Sequence, residues 1–198
     1  MIRNIFSSNF YSLFSAPNKE EIIKSLKNIK VDSVATKEIK WNSGCNVDVE
    51  VLDTSVLANI LAPSLKIFLS ELGYGKKDVP IKVLSGWRNI YQKGGFQETH
   101  DHLGGDGRED CHLSGCFFLD DFDNDAGTFS FYNRHSSELN IVWRKIFSSL
   151  YSMNNITSHG IMPKAGDILF FPSYMLHGVT QHRLRKPRTT VSFNIQFI

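Results

Sequence analysis

The chain has 198 residues, with 22 Lys and Arg against 20 Asp and Glu and a net charge of +2 at pH 7. That length suits one domain with one large core, and so even a balance gives no electrostatic argument for a nucleic-acid or acidic-membrane partner. Cys45, Cys111 and Cys116 are odd in number and irregularly spaced, the first residues break their apolar run too often for a signal segment, and no 18-residue apolar stretch occurs, so a soluble protein of the cytoplasm with no membrane partner is expected.

Asn18, with Glu21 three residues on, reads as an N-cap with a reciprocal acid, and Ile22, Ile23, Leu26 and Ile29 recur at helical spacing, which predicts a helix over 19–29. Thr54 opens a second one. Its apolar stripe runs through Leu57, Ile60, Leu61, Leu65, Phe68 and Leu72, with Gly73 placed to end it in a left-handed conformation and Pro63 expected to kink or split it.

From about residue 79 the character changes to short β-rich runs separated by Gly, Asp and Asn clusters. Strands are predicted at Ile81–Tyr91, Leu113–Leu119, Thr128–Tyr132, Ile168–Phe171, Leu176–Thr180 and Thr189–Phe197. Runs this short and this numerous point to a sandwich, jelly roll or barrel. Residues 1–78 then form a helical support for a core at 79–198, all in one domain. The segment Leu139–Tyr151 fits either a helix or a strand, and the glycine-rich Leu103–Asp110 reads as a flexible loop.

The chemistry concentrates in two places. His100 and His102 are two apart in an extended segment, so their imidazoles share a face while Asp101 points the other way. A third imidazole, His177, follows a Pro-Ser turn at the start of a strand. Together they could hold one ion and leave coordination positions open for a cosubstrate and dioxygen. After His177, residues Arg188, Thr190, Ser192, Asn194 and Gln196 alternate with Thr189, Val191, Phe193, Ile195 and Phe197. Either this is a half-solvated antiparallel strand, or Arg188 and Thr190 face a barrel interior where a guanidinium fork can grip a carboxylate at two points.

Other features read more plainly. His112, His135, His159 and His182 are expected to be surface or hydrogen-bonded residues. Cys111-His112 with Cys116 matches no zinc finger, and the basic run Arg183–Arg188 reads as a solvated loop.

Several blocks resemble a known superfamily. These are Trp87-Arg88-Asn89; Gly95 through His102; Leu113-Ser114-Gly115-Cys116-Phe117-Phe118-Leu119; Gly127 through Phe131; Pro163 through Ser173; and Leu176-His177-Gly178-Val179. They resemble the 2-oxoglutarate- and Fe(II)-dependent oxygenases, and more narrowly those of bacteria and tailed phages that carry a His-x-His pair. The resemblance implies a mainly β fold, a double-stranded β-helix (jelly roll, cupin-like) with flanking N-terminal α-helices. It implies Fe(II) held by His100 and His177, with 2-oxoglutarate bound through Arg188, Thr190 beside it and Tyr91 as a hydroxyl donor.

The sequence departs from the superfamily at position 102, where a carboxylate usually supplies the second ligand. His102 is the expected ligand here, with Asp101 as the alternative. The stretch from Leu103 to Leu113 is also longer than usual, either a substrate lid or an exposed insertion.

The implied reaction is a dioxygenase cycle in which dioxygen and 2-oxoglutarate are consumed, an unidentified primary substrate is hydroxylated, and succinate and carbon dioxide are released. A three-histidine cupin-like metal protein that does not use 2-oxoglutarate, and a binding module without chemistry, are the competing readings.

Overall fold

A computed structural model describes residues 9–38, 45–74, 79–103, 111–122, 125–134 and 157–198. Leu139–Tyr151, His135 and residues 104–110 of the glycine-rich loop lie outside the described residues.

The elements in chain order are β1 (Ser12–Ser15), α1 (Lys19–Asn28), α2 (Ser33–Glu38), β2 (Val47–Val51), α3 (Thr54–Glu71), β3 (Ile81–Tyr91), β4 (Gln97–His100), β5 (Leu113–Phe118), β6 (Phe129–Tyr132), β7 (Ser158–Ile161), β8 (Asp167–Pro172), β9 (His177–Val179) and β10 (Arg188–Phe197). All the strand pairings are antiparallel, in a six-stranded sheet ordered β1-β8-β5-β10-β3-β2 and a four-stranded sheet ordered β4-β9-β6-β7. This is the expected jelly roll with N-terminal helices. Residues before 79 contribute two sheet strands, β1 and β2, as well as helices.

Alternation along the strands sorts side chains into two cores. Val191, Phe193 and Ile195 of β10, Phe117 of β5 and Ile168 and Phe170 of β8 face the helices, where they meet Leu26 of α1 and Leu57, Leu61, Leu65 and Phe68 of α3. The opposite face of the same strands turns Tyr91, Cys116, Phe118, Leu169 and Phe171 toward Phe129, Phe131, Ile161 and Val179 of the smaller sheet. The helices therefore cover one side of the large sheet, and the small sheet closes the other. Gly86 permits the closest approach of the first layer, since a Cβ there would come within 2.2 Å of Leu57 Cδ2.

Both helix expectations need a correction. Asn18 takes a left-handed conformation (φ 54°) and its side chain makes no capping bond, so the reciprocal cap with Glu21 does not form. α3 begins with Asp53, whose carboxylate accepts from the Ser55 and Val56 amides at 2.9 and 3.2 Å, and it runs unbroken through Pro63. Pro63 and Asn59, four residues before it, are both exposed, so the Asn59 carbonyl that loses its intrahelical donor is left on the solvent side of the helix. Gly73 ends the helix at φ 88°, as expected.

Candidate metal and cosubstrate site

His100 closes β4 and stands opposite His177, the first residue of β9. His102 has already left the strand, and its backbone N–H donates to Ser173 O at 2.9 Å. The face-sharing expected of His100 and His102 is thus reached across the end of the strand. The three rings converge with centroid separations of 5.3 Å (His100–His102), 4.3 Å (His100–His177) and 4.9 Å (His102–His177). Their ligand atoms all lie within 4.8 Å of one another. Asp101 is turned away. Its carboxylate pairs with Arg134 and accepts the Leu103 amide at 3.0 Å, while Arg134 also donates to Tyr174 O at 3.2 Å. Arg134 thereby ties the two histidine-bearing segments together.

Two features suit this trio to a cation. Burial, reinforced by the charge of nearby His100, holds His102 down to about 4 and His177 well below its ordinary value, so both imidazoles are neutral at pH 7, the form a metal binds. His100 Nδ1 lies 2.7 Å from Glu98 O and His177 Nδ1 lies 2.9 Å from Met175 O. A carbonyl only accepts, so the neutral His177 ring carries its proton on Nδ1 and turns a deprotonated Nε2 toward the other two rings, and His100 sets its Nδ1 against a carbonyl in the same way. Apolar rings surround them, with Phe129 stacked on His177 at 5.5 Å and Phe171 edge-on at 4.7 Å.

One cavity is lined by the three histidines together with Trp87, Tyr91 and Thr190. Arg188 sits behind its wall, with the guanidinium carbon 4.1 Å from the centre of the Tyr91 ring and 3.8 Å from that of Phe122. Arg188 is 1% exposed, and none of its three guanidinium nitrogens has a hydrogen-bond partner among the described residues. Burial pulls its pKa down from the ordinary value. A buried guanidinium without an acceptor carries a desolvation cost that a carboxylate can offset through two parallel bonds. The donor set therefore fits both groups implied by the sequence: three convergent imidazoles for a divalent metal, and a buried cation without a hydrogen-bond partner among the described residues for a dicarboxylate.

Thr190 and Tyr91 flank Arg188, and neither is idle. Asn89, fully buried, donates to Thr190 Oγ1 at 3.3 Å and to Ser192 Oγ at 3.0 Å. Tyr91 Oη donates to Gln97 Oε1 at 2.5 Å, so its hydroxyl proton is directed at Gln97 in this arrangement. Burial raises the phenol well above its ordinary value, which keeps it protonated. With Arg188 and Thr190 buried at 1% and 2%, the polar face of β10 lines the interior at this end rather than facing water.

A sequence profile of the family described as "Putative 2OG-Fe(II) oxygenase" matches residues 85–194, more than half of the chain. The chain belongs to the 2OG-Fe(II) oxygenase family. As such it is a 2-oxoglutarate-dependent oxygenase, and its cofactors are Fe(II) and 2-oxoglutarate. No curated protein matches this oxygenase by sequence.

Solved structures share its fold. The alpha-ketoglutarate-dependent carbocyclase SnoK from nogalamycin biosynthesis superposes with a TM-score of 0.64 at 16% identity, covering 95% of this chain and 79% of that one. A Pseudomonas putida prolyl-4-hydroxylase gives 0.62 at 12% identity over 96% and 94%. HygX from Streptomyces hygroscopicus, with nickel and 2-oxoglutarate bound, gives 0.57 at 14% identity over 95% and 83%.

The other described histidines, His112, His159 and His182, stay out of the site. His112 Nδ1 accepts the Phe197 amide at 3.1 Å, His159 meets the Tyr11 hydroxyl at 3.0 Å, and buried His182 lies between the carbonyls of Ala126 and Lys186 at 3.3 and 2.8 Å. Residues 183–187 are exposed, and none of the three cysteines forms a disulfide. Sequence reasoning assigned no role to Trp87, Asn89, Gln97 or Phe122. The signal for the first two was present: positions 87 and 89 share the face of Tyr91 at period two. No helix among the described residues is long and apolar enough to cross a membrane.

Proposed function

We propose that the oxygenase hydroxylates an unidentified primary substrate, converting the substrate, dioxygen and 2-oxoglutarate into the hydroxylated product, succinate and carbon dioxide. In this reading His100, His102 and His177 hold Fe(II), and Arg188, with Thr190 and Tyr91 beside it, receives the distal carboxylate of 2-oxoglutarate. The observation that carries it is the buried Arg188 guanidinium, without an acceptor among the described residues and packed on two rings that line the same cavity as the three histidines.

Bound iron and 2-oxoglutarate would supply the oxidising power through decarboxylation of the keto acid. The chain's own residues do the rest. The histidines offer three ring nitrogens on one side of the ion, Arg188 fixes the far end of the cosubstrate, and Phe129 and Phe171 exclude water around the imidazoles. Residues 1–198 act as one domain, with 1–78 supporting the core at 79–198. Three cysteines without a disulfide support a cytoplasmic setting.

The test is succinate formation with Fe(II) and 2-oxoglutarate, with His177→Ala and Arg188→Ala as controls. Iron-dependent succinate release, even without a primary substrate, is expected from the native protein and from neither variant. Binding of iron without any 2-oxoglutarate turnover would favour the cupin-like alternative.

A further inference from the structure

His102 is the histidine that replaces the superfamily's carboxylate, and its ring is held differently from the other two. Where His100 and His177 each face a backbone carbonyl, His102 Nδ1 lies 2.6 Å from Asn194 Oδ1 and 2.7 Å from Ser114 Oγ. The Ser114 hydroxyl itself donates to Asn194 Oδ1 at 2.9 Å. With the serine proton directed at the amide, both neighbours present lone pairs to the ring, and the only hydrogen left to lie between them and Nδ1 is the imidazole's own.

We propose that Asn194 and Ser114 are positioning residues that fix His102 as its Nδ1–H tautomer and so aim a bare Nε2 at the metal. The inference rests on the reading of the three histidines as metal ligands.

The fold makes this contact a property of the sheet. Ser114 and Asn194 are register partners across β5 and β10, and Asn194 is the inward-facing residue that follows Arg188, Thr190 and Ser192 along β10. One strand face therefore serves the carboxylate end and a metal ligand alike. Ser114 is fully buried, so neither water nor another residue readily takes its place. The opposite arrangement, with the amide turned to donate its NH₂ to a bare Nδ1, would put the His102 proton on Nε2 and block coordination. The two arrangements predict opposite behaviour for a carboxylate at position 194.

The test uses the full chain in two measurements. The first is the tautomer of His102 in metal-free protein, read by ¹⁵N NMR of labelled histidine and assigned with His102→Gln. The second is Ni(II) affinity by calorimetry for the native protein, Asn194→Asp, Asn194→Leu and Ser114→Ala. Asn194→Asp can only accept, so it is expected to keep the Nδ1–H tautomer and bind Ni(II) at least as tightly as the native protein. Asn194→Leu and Ser114→Ala are expected to bind about 10- to 100-fold more weakly, the range for loss of a group that orients a ligand, with His102 shifting toward a tautomer mixture.

A native His102 protonated on Nε2, or an Asn194→Asp loss as large as that of Asn194→Leu, would overturn the proposal. Asn194→Asp is close in shape to the native residue and keeps the comparison open should the leucine variant misfold. Native protein that binds Ni(II) no better than His177→Ala would overturn the metal reading instead, and the NMR result would still decide what Asn194 and Ser114 do to the ring.

Discussion

Arg188 and Tyr91 stand directly opposite each other in the β10–β3 ladder, and the guanidinium carbon lies over the phenol ring, 4.1 Å from its centre. The same carbon lies over the Phe122 ring, 3.8 Å from its centre. Only a planar, weakly hydrated cation can fill a slot between two rings and still offer a two-point fork. Arg188→Lys should therefore weaken 2-oxoglutarate binding to Ni(II)-loaded protein by at least about tenfold, the cost of losing one good charged hydrogen bond. Ni(II) affinity itself should change little. Calorimetry of each ligand in turn checks both halves.

Trp87 offers an optical report on the metal site. Its ring lies 5.8 Å from that of His102, and its buried indole nitrogen has no hydrogen-bond partner among the described residues. An open-shell metal ion at the histidines should quench this indole strongly, because such quenching falls steeply with distance. Titration of Co(II) should lower the native tryptophan emission, and Trp87→Phe should remove most of that change. Equal quenching in both proteins would place the ion elsewhere.

Cys116 should be chemically inert while the protein is folded. Burial pushes its thiol up to about 12 from an ordinary 9.0, so at pH 8 roughly one molecule in ten thousand carries the reactive thiolate. Mass-spectrometric mapping after iodoacetamide treatment should find it unmodified in native protein and modified in urea. The same shift carries a pH dependence. Below pH 9 both folded and unfolded forms keep the proton and no stability is lost. Between 9 and about 12 only the unfolded form ionises, so stability falls as the pH rises through that window. Urea melts at a series of pH values check the sign.

Gly115→Ala tests how tightly β5 is enclosed. A Cβ at that position would lie 2.3 Å from Phe193 Cζ and 2.6 Å from Leu169 O. Phe193 is fully buried against Phe170 and Leu169 O belongs to a neighbouring strand, so neither can move cheaply. The substitution should destabilise the fold by about 2–3 kcal/mol, measured as a lower urea midpoint.

The strands that were legible in the sequence are those whose two faces meet different surroundings. β3 and β10 alternate clearly because one side packs on helices and the other lines the site, and both were expected within one residue of their ends. β1, β4 and β7 span four residues each and are largely exposed or half-buried, so nothing in their composition marks them; pairing with β8, β9 and β6 makes them strands.

The candidate site divides in a similar way. The three histidines and Arg188 stand out as candidates by residue type and spacing. Whether Arg188 faced water or the interior could not be read from alternation, since a solvated strand shows the same pattern. Phe122, from the turn after β5, covers it. The roles of Gln97 and Asn194 depend on neighbours 6 and 92 residues away in sequence.

A cation packed on two rings and given no acceptor among the described residues is a fault in an empty protein and a latch in a filled one. Unliganded chains carry the desolvation cost of Arg188 and should melt early. Arg188→Met, similar in reach and free of charge, should raise the melting temperature of the ligand-free protein. In native protein 2-oxoglutarate should restore that margin by mass action, about 2.7 kcal/mol at a hundred times its Kd, whereas the methionine variant should melt at one temperature whatever the concentration. How much of this oxygenase stays folded would then follow the supply of the metabolite it consumes.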